Sequence, residues 1–161
     1  FPNACFYMQE AEMQFATGPC MCHHHLNHPY EADDVAGMVH RVFAGKVSFA
    51  EGDRELFPGL SVHHIGGHSR GLQCVRVETE RGPVVLASDA THHYEHMNSG
   101  RVFTTCDSVS DTVLGYQRLR ELAGDDRRIV PGHDPEVMRR YPPFSAQTAS
   151  PPCQSETAFA V

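Results

Sequence analysis

The sequence has no excess of positive charge. Its 161 residues include 13 Lys and Arg against 20 Asp and Glu, which gives a formal net charge of −7. Basic residues come together only in short pairs such as Arg127-Arg128 and Arg139-Arg140. Proteins that bind nucleic acid use basic patches or stripes to neutralise phosphates. The charge pattern therefore argues against a nucleic-acid partner.

The sequence also lacks a long apolar run. No window reaches the roughly 18 consecutive apolar residues of a membrane span, and no basic region followed by an apolar signal core stands at the start. The cysteines are scattered without the spacing of a small secreted framework. They are Cys5, Cys20, Cys22, Cys74, Cys106 and Cys153. We expect a soluble, cytoplasmic chain with reduced thiols and no membrane partner.

The chain has the length and the hydrophobic content, 40%, of one domain with a real core. Its first residue, Phe1, opens directly into a segment typical of the approach to a strand, so we expect the beginning of the protein to be missing. Residues 142–161 are rich in Pro, Ser, Thr, Ala and Gln, which predicts a disordered tail. We therefore predict a partial domain over residues 1–141 and a tail over residues 142–161.

The stretch from Leu60 to Val77 organises the chain. Apolar and β-branched residues are interrupted by Gly66-Gly67-His68-Ser69-Arg70-Gly71 and then resume, which predicts two strands joined by a glycine-cornered loop. Glycine adopts positive φ angles without a Cβ penalty, so the glycine pair can present the His68 imidazole clear of the sheet edge. An isolated Gly-Gly-His is more often an ordinary hairpin loop. Whether His68 is a metal ligand therefore depends on the other residues of this type in the chain.

Periodicity and turn signals predict the other strands and helices of an α/β domain. Strands are expected at residues 4–8, 46–49, 54–57, 83–88 and 128–130. The run at 83–88 is continuously apolar, which predicts a strand buried on both faces. Helices are expected at residues 9–16, from 33 to about 45, and from 109 to 122 after a cap at Ser108. The polar and aperiodic residues 20–34 are expected to form a surface excursion.

Three residues of the metal-ligand type, His68, Asp89 and His133, each follow a short predicted strand. Strand ends on one edge of a sheet converge in space. An aspartate at the end of a buried strand is costly unless its charge is compensated, and a metal ion would compensate it. Taken alone, each of these residues could equally be an ordinary turn residue. Their shared position after strands indicates a metal site.

The segments around these residues resemble the later metal motifs of the metallo-β-lactamase superfamily. They are Ile65-Gly66-Gly67-His68-Ser69, Leu86-Ala87-Ser88-Asp89-Ala90 and Val130-Pro131-Gly132-His133-Asp134. The chain from Glu31 to Pro142 is most similar to the N-acyl homoserine lactonase-like branch. The resemblance implies the C-terminal portion of a four-layer αββα sandwich and two zinc ions. His68 would bind the first ion, Asp89 would bridge both, and His133 would bind the second.

The sequence departs from this superfamily at the leading motif, His-x-His-x-Asp-His. Only His23-His24-His25-Leu26-Asn27-His28 approaches it, with Asn27 where the aspartate belongs and Pro29 directly after. We interpret this segment as a decoy and expect the true motif to precede Phe1. A site that keeps three of the usual seven protein ligands should bind zinc weakly. We therefore predict that this chain alone is a poor or inactive hydrolase.

The resemblance also implies a reaction. In an intact relative, two zinc ions would make hydroxide available at neutral pH to open the lactone ring of a small-molecule substrate, and Asp89 could help to manage the proton. Relatives place a tyrosine a few residues after the bridging aspartate to steady the carbonyl oxygen. Here His92 has the closest spacing and Tyr94 has the right chemistry. Asp89, His92 and Tyr94 are therefore the candidate catalytic residues.

Other functions stay open. The segment Cys20-Met21-Cys22-His23-His24-His25, with His28, could bind Cu(I) or zinc without catalysis. The favoured alternative is a lid over the active site, in which His24 and His25, together with His92, contact the substrate. A glyoxalase II-like thioester hydrolase would share the same fold. The segment Glu31-Ala32-Asp33-Asp34 looks more like the lactonase branch.

Overall fold

A computed structural model gives the fold of residues 3–141. The tail predicted at residues 142–161 lies outside the described residues. The strands are β1 Phe6–Gln9, β2 Val47–Ala50, β3 Arg54–Phe57, β4 Leu60–His64, β5 Gln73–Thr79, β6 Gly82–Ser88 and β7 Ile129–Pro131. The helices are α1 Glu10–Ala16, α2 His24–Asn27, α3 Ala32–Phe43, α4 Tyr94–Ser99, α5 Val109–Ala123 and α6 Glu136–Arg140. None of these helices is long and apolar enough to cross a membrane.

The strands form two sheets. Strand β1 pairs in parallel with β2, and strands β3 to β7 form a five-stranded sheet in sequence order. All its pairs are antiparallel except the last, in which β7 runs parallel to β6. Gly59 lies in the turn before β4 and Gly82 is the first residue of β6, and their φ angles are +79° and +96°. Glycine accepts these angles freely, which lets the meander reverse within a few residues.

Helix α5 covers one face of the five-stranded sheet. The Ser108 hydroxyl caps its first turn by accepting from the Asp111 N–H at 3.2 Å, and Gly124 ends the helix with a φ angle of +66°. The core beneath the helix includes Cys74, Val85, Ala87, Tyr116, Leu119, Ala123 and Ile129. Burying a side chain such as Leu119 contributes about 1.5–3 kcal/mol. This packing fixes the sheet edge to which the candidate site belongs.

A buried amide pair joins the two sheets. The Gln9 side chain donates to the Gln73 side chain at 3.0 Å, and Gln73 donates to the Tyr7 carbonyl at 3.0 Å. Helix α3 lies beside the small sheet, where the Arg41 guanidinium stands 4.9 Å from the Phe6 ring centre. Helices thus flank two sheets, which confirms the predicted αββα arrangement.

The prediction that β6 is buried on both faces is wrong over the described residues. Val85 and Ala87 are fully buried beneath α5, but Leu86 between them is 44% exposed. Alternate residues of a strand point to opposite faces, and α5 covers only one of these. The apolar run therefore marks a strand with one buried face and one half-open apolar face.

The segment predicted as an irregular surface excursion contains local helical structure. Residues Pro19–Cys22 form a 3₁₀ turn and His24–Asn27 form α2. The Asn27 side chain donates to the Met21 carbonyl at 2.9 Å, which ties the two turns together. The position of this segment at the surface agrees with the prediction, since His24 and His25 are exposed.

Candidate metal centre

The loop after β4 turns at Gly66 and Gly67, whose φ angles are +74° and +91°. The Gly67 carbonyl accepts hydrogen bonds from the backbone N–H groups of Asp107 and Ser108 at 2.9 and 3.0 Å. A Cβ atom at Gly67 would lie 2.7 Å from the Thr112 nitrogen. Position 67 therefore requires glycine for two reasons, which are its positive φ angle and its close approach to α5.

The buried carboxylate of Glu12 holds the other end of this loop. Its Oε2 atom accepts from the Ser69 hydroxyl at 2.6 Å and from the Gly71 N–H at 3.0 Å. Its Oε1 atom accepts from the Tyr30 hydroxyl. Burial, followed by the Glu12 charge, raises the pKa of Tyr30 above its ordinary value, so this phenol remains a donor. Sequence reasoning missed Glu12 because no local pattern signals a contact across 57 residues.

Replacing Glu12 by alanine should destabilise the fold by about 3 kcal/mol. Glu12 is 7% exposed, and its loss would leave buried donors of Ser69, Gly71 and Tyr30 without an acceptor, each at a cost of about 1–3 kcal/mol unless water enters. Denaturant unfolding followed by circular dichroism measures the change. The matched control is Glu10→Ala in the same helix, since Glu10 accepts only an exposed hydrogen bond from Gln14. Equal losses for both variants would contradict a clamping role for Glu12.

Asp89 follows β6 through a strained turn. Ser88 is the one non-glycine residue with a positive φ angle, +48°, among the described residues. Such angles persist only where the surrounding structure enforces them, and they are found preferentially at functional sites. Gly132 packs against this turn so closely that a Cβ atom there would lie 2.8 Å from the Ser88 oxygen. The two loops that carry Asp89 and His133 are therefore in direct backbone contact.

Asp89 lies among three imidazoles. Its Oδ1 atom is 2.7 Å from Nε2 of His133 and 3.3 Å from Nε2 of His92. Its Oδ2 atom is 4.0 Å from Nε2 of His68. The structure thus brings together His68, Asp89 and His133, which lie far apart along the chain, and adds His92. The two carboxylate oxygens face different histidines.

The surrounding histidines set the protonation of Asp89. Burial raises the pKa of its carboxyl, but the nearby His92 imidazole and the charges of His68 and His133 more than offset this, and the pKa falls to about 2. Asp89 is therefore ionised at any physiological pH. An ionised carboxylate with neighbouring imidazoles is suited to bind a cation.

The imidazoles are held in defined orientations. Nδ1 of His68 lies 2.6 Å from the Thr105 carbonyl, which can only accept, so Nδ1 carries the proton and Nε2 is left free as a ligand atom. The His92 ring stacks on Phe103, with centroids 3.7 Å apart and an interplanar angle of 16°. The His133 backbone N–H donates to the His92 carbonyl at 2.9 Å. The rings of His68 and His92 are therefore held in place before any ion binds, and the backbone of His133 is fixed beside them.

The residues present fit a metal ion. Within residues 3–141, the group of Asp89, His92 and His133 is the one set whose ligand atoms all lie within 4.8 Å of one another. Imidazole nitrogen and carboxylate oxygen are common zinc ligands. Nε2 of His92 is buried without a well-directed hydrogen bond, and a buried polar atom of this kind calls for a partner. His92, predicted from the sequence as a catalytic or substrate-contacting residue, thus lies within the candidate ligand cluster.

The structure places Tyr94 at the start of α4, in contact with Arg140 and Asp134. Its ring lies beneath the Arg140 guanidinium at 3.8 Å, and its N–H donates to Asp134 at 2.9 Å. The Tyr94 hydroxyl is buried and has no hydrogen-bond partner over the described residues. Burial raises its pKa, so it stays protonated.

The segment with the predicted lid, residues 20–28, does not form a second metal cluster. Over the part of the chain that the structure describes, its cysteines and histidines do not bring three ligand atoms together. The rings of His24 and His28 stack on each other at 6.0 Å. Cys20 lies 3.5 Å from the Arg70 guanidinium, which places the segment next to the His68 loop. The substrate contacts of His24 and His25 stay a prediction.

Comparison with known proteins finds lactonases that are similar to this chain. No protein-family model matches the chain. It is 37% identical over 91 residues to an N-acyl homoserine lactonase of Bacillus sp, an alignment that covers 55% of this chain and 36% of the relative. It is 28% identical over 144 residues to N-acyl homoserine lactonase AttM of Azorhizobium caulinodans, covering 88% of this chain and 54% of the relative. The chain therefore spans between about a third and about half the length of these relatives.

Solved structures share the fold. A Bacillus thuringiensis AiiA variant with N-decanoyl-L-homoserine bound at its active site superposes with a TM-score of 0.71 at 25% identity, over 89% of this chain and 52% of that one. AidC, described as a dizinc quorum-quenching lactonase, gives a TM-score of 0.60 at 14% identity, over 84% of this chain and 49% of that one. The resemblance inferred from the sequence is confirmed: the chain is similar in sequence to N-acyl homoserine lactonases and has their metallo-β-lactamase fold.

Proposed function

We propose that this chain carries a metal site of a hydrolase that opens lactone esters of the N-acyl homoserine lactone type through a metal-activated water. The main support for the proposal is that the two carboxylate oxygens of Asp89 lie near different histidines. Oδ1 faces His133 and His92, and Oδ2 faces His68. A carboxylate divided in this way is suited to bridge two ions about 3.5–4 Å apart. The sequence similarity to homoserine lactonases favours a lactone over the thioester of a glyoxalase II-like enzyme.

Zinc fits the donor set best: His68 would hold one ion, His92 and His133 would hold the other, and Asp89 would be a ligand to both. When bound, a zinc pair supplies Lewis acidity toward the ester carbonyl and lowers the pKa of a water molecule to about 7. The pKa of Asp89, about 2, makes this carboxylate a ligand first and a weak proton acceptor. The Thr105 carbonyl keeps the His68 proton on Nδ1, away from the ligand atom.

Tyr94 is the proposed donor to the carbonyl oxygen of the substrate. Within residues 3–141 its hydroxyl is buried without a hydrogen-bond partner, and its raised pKa keeps the proton in place. A phenol in that state can donate a hydrogen bond to charge that develops on a carbonyl oxygen. His24 and His25 are proposed to contact the acyl part of the substrate from the neighbouring surface segment.

The chain alone should bind zinc weakly and open lactones slowly. His68, Asp89, His92 and His133 supply at most two or three protein ligands to each ion, fewer than a closed zinc site has. We expect lactone opening, measured by product chromatography with N-hexanoyl homoserine lactone and added zinc, to fall at least a hundredfold below that of an intact relative. The matched control is the same assay with excess chelator, which should remove the residual rate. Turnover equal to that of the relative would show that further ligands, such as His23, His25 and His28, complete the site.

A further inference from the structure

A serine, a histidine and an aspartate line up on the face of the five-stranded sheet that α5 also contacts, since Ser61 and His63 pair with Arg76 and Cys74 in the sheet register. Ser61 and His63 stand two residues apart in β4, so their side chains lie on the same face. Ser61 Oγ is 2.8 Å from Nε2 of His63, and Nδ1 of the same ring is 2.8 Å from Oδ2 of Asp53. This is the order of contacts in a nucleophile, base and orienting-acid triad.

The Asp53 carboxylate has a second partner besides His63. Arg118 from α5 contacts the same Oδ2 atom of Asp53 at 2.5 Å. Burial raises the pKa of Asp53, but His63 and Arg118 together lower it below its ordinary value, so it stays ionised. The Asp53 oxygen lies off the N–H direction of His63, whose Nδ1 therefore makes an ion pair without a well-directed hydrogen bond. Catalytic hydrogen bonds are often misaligned until a substrate binds.

The serine is accessible from a surface cavity. The cavity has a volume of about 350 Å³ and is lined by Ser61, His63 and Asp53 together with charged residues of the neighbouring strands. Ser61 is opposite Arg76 in the sheet register, and Arg76 lines the same cavity. The His63 side chain is only 13% exposed, so the base is shielded, while Ser61 is half-buried at the cavity wall. The size and polar lining suit a small ester with a short acyl group.

We propose that Ser61, His63 and Asp53 form a second, metal-independent site that transfers acyl groups from small esters to water. The proposal does not depend on the lactonase function, because none of these residues belongs to the candidate metal cluster. Nothing in the reaction requires a cofactor, since the ester and water are the only reactants.

The step can be written for the side chains in place. Ser61 Oγ attacks the ester carbonyl carbon and forms a C–O bond, while Nε2 of His63 takes the hydroxyl proton. That proton passes to the leaving alkoxide as the original ester C–O bond breaks. Water then attacks the acyl carbon and gives a proton to His63, and Ser61 leaves with that proton. Asp53 stabilises the imidazolium that forms on His63.

The test uses the full chain in excess EDTA. A fluorophosphonate reacts with an activated serine as the P–O bond forms, fluoride leaves and the base takes the proton. We expect one phosphonate per chain by intact mass spectrometry, located on Ser61 by peptide mapping, and hydrolysis of p-nitrophenyl acetate that resists EDTA. Ser61→Ala should lose both the adduct and the hydrolysis, and His63→Gln should slow labelling about 100-fold or more.

Controls separate this site from the rest of the molecule. Ser48→Ala removes another strand serine, which bonds Arg54 and no histidine, and should label at the original rate. Because labelling in excess EDTA does not depend on the metal centre, the failure of one site is distinguishable from the failure of the other. Circular dichroism confirms that each variant is folded. Absence of an adduct on the folded original chain, or an adduct that survives in Ser61→Ala, would overturn the proposal.

Discussion

Replacing Asp89 by asparagine is expected to weaken zinc binding by at least a hundredfold. The substitution keeps the shape of the side chain but removes its negative charge and turns one oxygen into an NH₂ group that cannot bind a cation. Loss of even an outer-shell partner of a metal ligand costs about 10–100-fold in affinity. Asp89 is the only carboxylate in the candidate cluster of residues 3–141, so its loss should cost more. Calorimetric titration of the metal-free chain with zinc measures the dissociation constant.

A control for this experiment must remove one carboxylate charge elsewhere on the same chain. Asp126 serves, because it is a surface residue that pairs with Arg120 at 3.2 Å and makes no contact with the histidine cluster. Asp126→Asn should bind zinc as the original chain does. If Asp89→Asn bound zinc with unchanged affinity, the ion would lie elsewhere and the metal-centre proposal would have to be given up. Histidine substitutions would then locate it.

Much of the fold could be predicted because its signals are local. The glycine pair at residues 66–67 and the strands on either side of it follow from turn chemistry and alternation, and the structure has strands at Leu60–His64 and Gln73–Thr79. The serine cap and the apolar stripe predict α5 for the same reason. The exposure of Leu86 could not be predicted. A run of apolar residues shows that a strand is hydrophobic, but what covers each face depends on elements distant in the chain.

In the candidate site too, some residues could be predicted from local sequence patterns and others could not. His68, Asp89 and His133 could be singled out because each stands directly after a strand, and the structure brings them together. The Glu12 clamp depends on contacts with residues far along the chain, which no spacing reveals. His63 is an ordinary strand residue by pattern, and only the folded sheet brings Asp53 beside it. Local rules locate loops and caps, while the partners of buried polar groups emerge from tertiary packing.

Replacing Gly67 by alanine is expected to destabilise the domain by about 2–5 kcal/mol and to displace His68 from the candidate site. A non-glycine residue in this left-handed region costs about 1–2 kcal/mol. The new methyl group would meet backbone atoms of Thr112 at 2.7 and 2.8 Å, and overpacking of this kind typically costs a further 1–3 kcal/mol. Thr112 is in the first turn of α5, so the strain cannot be relieved by a side-chain rotation. Denaturant unfolding measures the loss.

Gly100→Ala separates the two contributions to this loss. Gly100 ends α4 with a φ angle of +67°, similar in sign to that of Gly67, but no atom lies within 4 Å of the position of its Cβ. Its substitution should therefore cost only the backbone term, about 1–2 kcal/mol. A loss at Gly67 no larger than that at Gly100 would mean that the corner moves away from α5 without penalty. In that case the close packing of the His68 loop on α5 would not be what positions this ligand. A difference of about 2 kcal/mol or more, together with weaker zinc binding in Gly67→Ala alone, would show that the glycine corner sets the geometry of the metal centre.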